Sequence, residues 1–378
     1  MRKENLKKIT ELRHNLHAHA ELSLHENWTK QCLMDFLAEN TSLEIVDRGN
    51  WFYALREGNG AGRRIAFRAD MDALPIPETI ALPYASCHAG VAHKCGHDGH
   101  SAALAGLALE LDEAGRENLP AIFLIFQPGE EIGAGGEGCS RLLTEENIDE
   151  VYAFHNLSGY PAGSIVVRDG LSQPASKGLT IRFQGKTSHA SYPEEGRNPA
   201  FAMAELVDFI RREGEGPHRG MVLCTIVGMN CGNGDFGISA GDGKLSLTLR
   251  AENEEEMDHL QAALEDKAGA VGRRDGLAVT FSQSDYFPET RNHPKCLKKV
   301  EAAAERLGRP VIHMEELWRA SEDFGWYLKR CPGAIFYIGN GENYPALHTT
   351  DYDFNDGILE TAVDMFWQLA ISSGISQK

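Results

Sequence analysis

Residues 120–126 read Pro-Ala-Ile-Phe-Leu-Ile-Phe, an apolar run with no alternation between polar and apolar positions. A strand with one face in water alternates with period two, so an unbroken run of this length predicts a strand covered on both faces. Shorter apolar runs at 51–55, 64–68, 151–154 and 164–167 repeat the pattern. Helical periodicity lies around them. Leu6, Ile9, Leu12 and Leu16 share one face of residues 5–23, and Cys32, Leu33, Phe36 and Leu37 form the stripe of 27–39, while 101–108 reads as a tightly packed helix. Doubly covered strands separated by helices predict an α/β fold with a mostly parallel sheet.

Beyond Gln173-Pro174-Ala175 the texture changes. Strand-like 178–184, a helix at 199–213, strand-like 221–228, the alternating run 244–250, a Glu-rich helix at 254–271 and a strand at 277–282 follow one another. Two helices among four alternating strands predict a ferredoxin-like α+β unit with one solvated sheet face. After Phe287-Pro288 the first texture returns, with a helix at 294–307, a strand at 334–338 and a helix at 356–372. The expected architecture is therefore a smaller domain, 176–287, inserted into a larger one made of 1–175 and 288–378. A length of 378 residues agrees with two domains, since a single core stops growing near roughly 250–300 residues.

The formal charge of −18 disfavours nucleic acid and anionic membrane surfaces as partners. No secretory signal and no bilayer-spanning run is visible, and the eight cysteines are scattered through the chain. Free thiols in a reducing cytoplasm are the expectation.

Residues able to carry chemistry cluster at the ends of these elements, where α/β enzymes place their sites. The densest segment is His93-Lys94-Cys95-Gly96-His97-Asp98-Gly99-His100. Thiolate and imidazole are preferred donors for zinc and similar cations, and Cys95 and His97 are close enough to serve one centre. Asp98 can orient a ligand imidazole, and Gly96 and Gly99 allow a tight turn into the following helix. Glu130 and Glu131 follow the 120–126 strand, and adjacent carboxylates permit one to bind metal while the other moves a proton. His155 ends another apolar strand, and His348 lies in a loop before the last helix. Asp70 and Asp72, after the 64–68 strand, fit ligands, orienting residues or turn residues, with an orienting role favoured for Asp70.

Taken in order, Leu16-His17 through Glu21-Leu22, 68–75, 95–100, 127–131, Phe154-His155-Asn156, 185–190, Ser321-Glu322-Asp323-Phe324 and Leu347-His348 resemble the amidohydrolase branch of the co-catalytic zinc peptidases. That group contains hippurate hydrolases, indoleacetyl-amino acid hydrolases, aminoacylases and N-acetyldiaminopimelate deacetylases. The resemblance spans nearly the whole chain. It implies two divalent ions (zinc, manganese, nickel or cobalt) held by Cys95, His97, Glu131, His155 and His348, with Glu130 as general base. It further implies a catalytic domain interrupted by a lid that commonly dimerises, hence a homodimer. His189 on that lid would bind or polarise the substrate, and Arg250 would meet its carboxylate, a group an Arg fork can bind bidentately. The implied reaction is hydrolysis of the amide of an N-acyl amino acid or small peptide. Departures lie on the lid: Thr187-Ser188-His189 stands where relatives usually read Gly-Gly-His, and Gly237-Ile238-Ser239-Ala240 where they carry Asn-Val-Ile-Pro. A substrate contact from that Asn is expected to be missing.

Three competing readings give different expectations. A non-catalytic metal-binding scaffold would show damage to the ligands or the base, and none is seen. A base deaminase would need a Pro-Cys-x-x-Cys element, which the sequence lacks. A Cys95 nucleophile would remain active after chelation.

Overall fold

The computed structural model describes residues 1–58, 62–114, 119–214 and 216–374, which divide into two compact units. The first contains Met1–Ser172, Thr290–Leu317 and Glu322–Lys378; the second contains Gln173–Glu289 and Trp318–Ser321.

The first unit is built on an eight-stranded sheet. At its centre the strands Ala121–Gln127, Arg64–Asp70, Glu150–Ser158 and Gly333–Gly341 lie side by side, all parallel. The doubly covered character read from 120–126 has a direct cause. Ile122, Leu124 and Phe126 enter one core with the helices Lys3–Ala18, His97–Glu113 and Leu359–Gly374, while Phe123 and Ile125 enter another with Leu142, Leu143 and Tyr327. Such a strand cannot alternate, because neither face meets water. Toward one edge the parallel rule breaks. Phe52–Arg56 runs antiparallel to Ala121–Gln127, and Glu44–Asp47 runs antiparallel to Phe52–Arg56. Ile165–Val167 pairs antiparallel with Gly333–Gly341 and carries Val311–His313 on its far side.

Four parallel strands side by side bring their C-terminal ends to one edge of the sheet, where sites form in open α/β folds. The chain leaves that edge at Asp70, Gln127, Ser158 and Gly341. The helix His97–Glu113 starts beside it. Gly96, with φ +100°, forms the N-cap in the left-handed region that a residue with a Cβ occupies only under strain.

In the second unit the strands Val222–Cys231, Asp242–Ala251, Ala175–Gln184 and Ala278–Phe287 form an antiparallel sheet in that spatial order. Helices Ala200–Gly214 and Glu254–Asp275 cover one face, burying Leu179, Ile181, Leu245 and Leu247 against Met203, Leu206, Leu260 and Leu264. The alternation at 244–250 follows from that one-sided burial: Leu245, Leu247 and Leu249 are inside, while Lys244 is exposed and Ser246, Thr248 and Arg250 are partly exposed.

All eight cysteines are free thiols. Among the described residues no helix is long and apolar enough to cross a membrane.

Candidate metal centre

Cys95, His97, Glu130, Glu131, His155 and His348 converge at the C-terminal edge of the parallel strands. Two donor triads share Cys95. One is Cys95, His97 and His155, all buried; the other is Cys95, Glu131 and His348. The Cys95 Sγ lies 3.4 Å from His155 Nε2 and 3.3 Å from His348 Nε2. Glu131 Oε2 is 3.5 Å from His348 Nε2, and its Oε1 is 3.7 Å from His97 Nε2. Glu130 approaches from the same side, its Oε2 3.8 Å from His97 Nε2.

Each imidazole is fixed by its other nitrogen or by its backbone. His155 Nδ1 contacts the Asn156 carbonyl at 2.7 Å, which places the ring proton there and turns Nε2 toward Cys95. His97 Nδ1 lies 3.1 Å from Asp72 Oδ1, and the other Asp72 oxygen accepts from the Glu131 backbone N–H at 2.9 Å and from Ser23 Oγ at 2.6 Å. One carboxylate thus sets both a histidine and the glutamate loop. His348 adopts φ +62°, an uncommon backbone for a residue with a side chain.

Two expected orienting residues have other partners. The Oδ2 of Asp98 meets His17 Nδ1 at 2.8 Å and Arg13 Nη1 at 3.4 Å, and Oδ1 accepts from the Gly99 N–H, so Asp98 touches no proposed ligand. The reason is helical: consecutive residues on a helix point roughly 100° apart, so Asp98 faces away when His97 faces the centre. Asp70 bonds His100 Nδ1 at 2.7 Å and Arg68 Nη1 at 2.7 Å, while its nearest approach to His97 is 3.9 Å. The hydrogen bond to His97 thus comes from Asp72, while Asp70 acts on His97 through its nearby charge. His100 has both ring nitrogens engaged, by Asp70 and by Asn156 Oδ1 at 2.6 Å, which leaves it no free donor.

Several supporting residues had little or no sequence signal of their own. Buried Arg68 is gripped by Asp70, by Asp323 at 2.7 Å and by Glu322 at 3.2 Å. Asp323 also accepts from Gln127 Nε2 and from the Gly136 N–H, bracing the loop that carries Glu130. Glu26 accepts from the Gly129 N–H at 2.7 Å. Within the Ser321-Glu322-Asp323-Phe324 segment, resemblance alone pointed to these two acids; Glu26 stands in a sequence that reads as an ordinary helix start.

His189 and Arg250 belong to the second unit. His189 lies exposed on the two-residue strand Ser188–His189, its Nδ1 accepting from the Ser191 N–H at 3.1 Å. The Arg250 guanidinium donates to the Arg319 carbonyl.

The electrostatics of the centre call for cations. Burial, reinforced by Glu131 and Glu130, pushes the Cys95 thiol well up. Burial and the neighbouring Glu322 and Glu131 carboxylates raise Glu130 far above the usual carboxylate range, and burial raises Glu131 to about 7 although His97 pulls it down. Burial opposes the His97 cation, yet Asp70 and Asp72 hold its imidazole up to about 10. Acids that repel one another in a dry site ionise when a divalent cation joins them. Two buried atoms facing this space, His97 Nε2 and Glu131 Oε1, have no hydrogen-bond partner. Buried polar atoms are almost always paired, so an orphaned imidazole nitrogen facing an orphaned carboxylate oxygen fits a metal ion between them. The S, N and O donor set suits borderline divalent ions.

Fold and centre together define a metal-dependent hydrolase of amide bonds. Residues 66–372 match the model of peptidase family M20/M25/M40, and the chain belongs to that family. It is 30% identical to an N-acetyldiaminopimelate deacetylase of Limosilactobacillus fermentum over 94% of each chain. It is 28% identical to an N-acetylcysteine deacetylase of Bacillus subtilis over 96% of each. Among solved structures, a dinuclear metal-binding M20 peptidase of Bacillus subtilis superposes with a TM-score of 0.82 at 26% identity, covering 99% of both chains. A putative aminohydrolase from methicillin-resistant Staphylococcus aureus shares the fold with a TM-score of 0.88 at 24% identity, covering 98% of this chain and 97% of that one.

Proposed function

We propose that this protein hydrolyses the amide bond of N-acyl amino acids, releasing a carboxylic acid and the amino acid, with two divalent ions at the Cys95 centre. The observation that carries the reading is the Glu130–Glu131 pair: Glu131 faces His348 and His97 and groups with Cys95, whereas Glu130 stands beside His97 and Glu131 without joining Cys95 in either triad described above. The names of the relatives, deacetylases of N-acetyldiaminopimelate and N-acetylcysteine, support the substrate class.

Cys95, His97 and His155 would hold one ion, and Cys95, Glu131 and His348 the other. When bound, these ions polarise the amide carbonyl and acidify water at the site. Glu130 accepts the proton of the attacking water at its carboxylate and passes it to the leaving amine. Asp72 keeps the His97 ring aimed at the centre. His189 binds or polarises the carbonyl group, and the Arg250 guanidinium receives the substrate carboxylate. The second unit acts as the lid that carries both, in a cytoplasmic homodimer.

The test is a screen of N-acetyl, N-benzoyl and indoleacetyl amino acids, with dipeptides, against protein stripped of metal and refilled with zinc, manganese, nickel or cobalt separately. Turnover with at least one metal is expected. Glu130→Ala should lower it by at least ~10²-fold while keeping metal content near that of the parent protein. Turnover that survives Glu130→Ala, or that persists without metal, overturns the reading.

A further inference from the structure

Lys94 is buried, although lysine is almost never fully buried without a partner. Its Nζ donates to Glu78 Oε1 at 2.7 Å and to the Tyr352 carbonyl at 2.7 Å. Its own carbonyl, one residue before Cys95, accepts from the His348 N–H at 2.7 Å. Both ends of the segment 348–352 are therefore tied to a single residue. A lesser tie comes from Thr79, whose hydroxyl donates to the Thr350 carbonyl at 2.8 Å. Glu78 is anchored in turn by His17 Nε2 at 2.8 Å.

This segment carries the least enclosed donor of the centre. The His348 side chain is 52% exposed and its backbone sits at φ +62°, whereas Cys95, His97 and His155 are all buried. His97 is further fixed on the first turn of a 17-residue helix, and His155 within a central strand. The donors that join Cys95 thus differ in how they are supported: His97 and His155 by regular structure, Glu131 by the Asp72 carboxylate on its backbone N–H, and His348 by the segment that Lys94 ties down.

We propose that the Lys94 side chain, by holding the Tyr352 end of the 348–352 segment while the main chain at 94 holds its His348 end, is a positioning residue for His348 and so sets how firmly the Cys95/Glu131/His348 group retains its metal. The inference rests on the dinuclear reading above. It is read by counting metal, so it can fail while that reading stands.

The experiment loads the full-length protein with zinc and follows metal per chain during dialysis against a chelator. The parent protein should release one equivalent faster than the other. His348→Ala should hold a single equivalent, which identifies the faster one. Lys94→Met should speed release of that equivalent by ~10–100-fold, the usual cost of losing an outer partner of a ligand, while the slower equivalent leaves at the parental rate and excess zinc restores two per chain. Acceleration of both equivalents alike, or of neither, overturns the role of Lys94. Should Lys94→Met fail to fold, Lys94→Gln decides: its shorter, neutral side chain keeps a polar group for Glu78 but cannot also hold the Tyr352 carbonyl, and severalfold faster release of the His348-dependent equivalent is expected. Unchanged release in Lys94→Gln then overturns the proposal. If His348→Ala keeps two equivalents, the paired-group reading itself is wrong.

Discussion

At the scale of residues, the centre separates donors from the groups that aim them. Donor type and position at the ends of elements marked Cys95, His97 and His155 as candidates in the sequence, and marked Glu130 and Glu131 as a pair; which of the two carboxylates is the donor came from the family resemblance alone. The aiming groups were less legible. Asp70 and Asp72 are two residues apart and chemically identical, and only the fold shows that Asp72 faces His97 while Asp70 serves His100 and Arg68. The variants Asp72→Asn and Asp70→Asn therefore separate cleanly. Loss of the carboxylate at Asp72 should weaken zinc binding by ~10–100-fold, measured by competition with a chromophoric chelator. Asp70→Asn should weaken it less and lower thermal stability more, since it leaves the buried Arg68 short of one of its carboxylates. The reverse ranking would return the orienting role to Asp70.

At the scale of elements, the helix His97–Glu113 shows how a single backbone conformation builds a ligand. Apolar packing at 101–108 announced the helix but not its start. Gly96 begins it earlier, in a left-handed conformation, which places His97 on the first turn. A Cβ at Gly96 would lie 2.3 Å from Asn156 Oδ1 and 2.8 Å from the Tyr352 hydroxyl. Gly96→Ala should cost about 2 kcal/mol or more in denaturant unfolding and deplete both metal equivalents, because Cys95 and His97 flank the substituted residue. The matched control is Gly138→Ala on helix Gly136–Glu145, where a Cβ meets nothing within 4 Å; it should be neutral or slightly stabilising. Equal effects of the two substitutions would remove Gly96 from this account. That second helix, like the edge strands Glu44–Asp47 and Val311–His313, gave no sequence signal. The strands span four and three residues, too few to establish a period, and the helix opens on glycines that read as a loop.

At the scale of the whole molecule, a buried charge network links the N-terminal helix to the loops behind the centre. Arg13 pairs with Asp98, Asp353 and Asp356, and His17 bridges Asp98 and Glu78. Burial works against the His17 cation, but hydrogen bonds to Asp98 and Glu78 outweigh it and hold the imidazole up to about 9, against 6.5 for a free histidine. The folded state thus binds this proton more tightly than the unfolded chain. Its stabilisation, on the order of 3 kcal/mol, is complete below pH ~6.5 and is lost as pH rises through about 9. The melting temperature should fall across that window, and His17→Asn should flatten the fall while lowering stability at pH 6. An undiminished slope in His17→Asn would assign the pH dependence to other groups. The same network engages Asp98, read from sequence as an aid to the metal, through Arg13 and His17. The backbone at His348 limits the chain on a longer timescale. Its left-handed conformation favours glycine, asparagine, aspartate and histidine, and imidazole is the donor among these that preserves the observed contacts with Cys95 and Glu131. Random drift at this position therefore has almost nowhere neutral to go: a change that relaxes the backbone discards the donor.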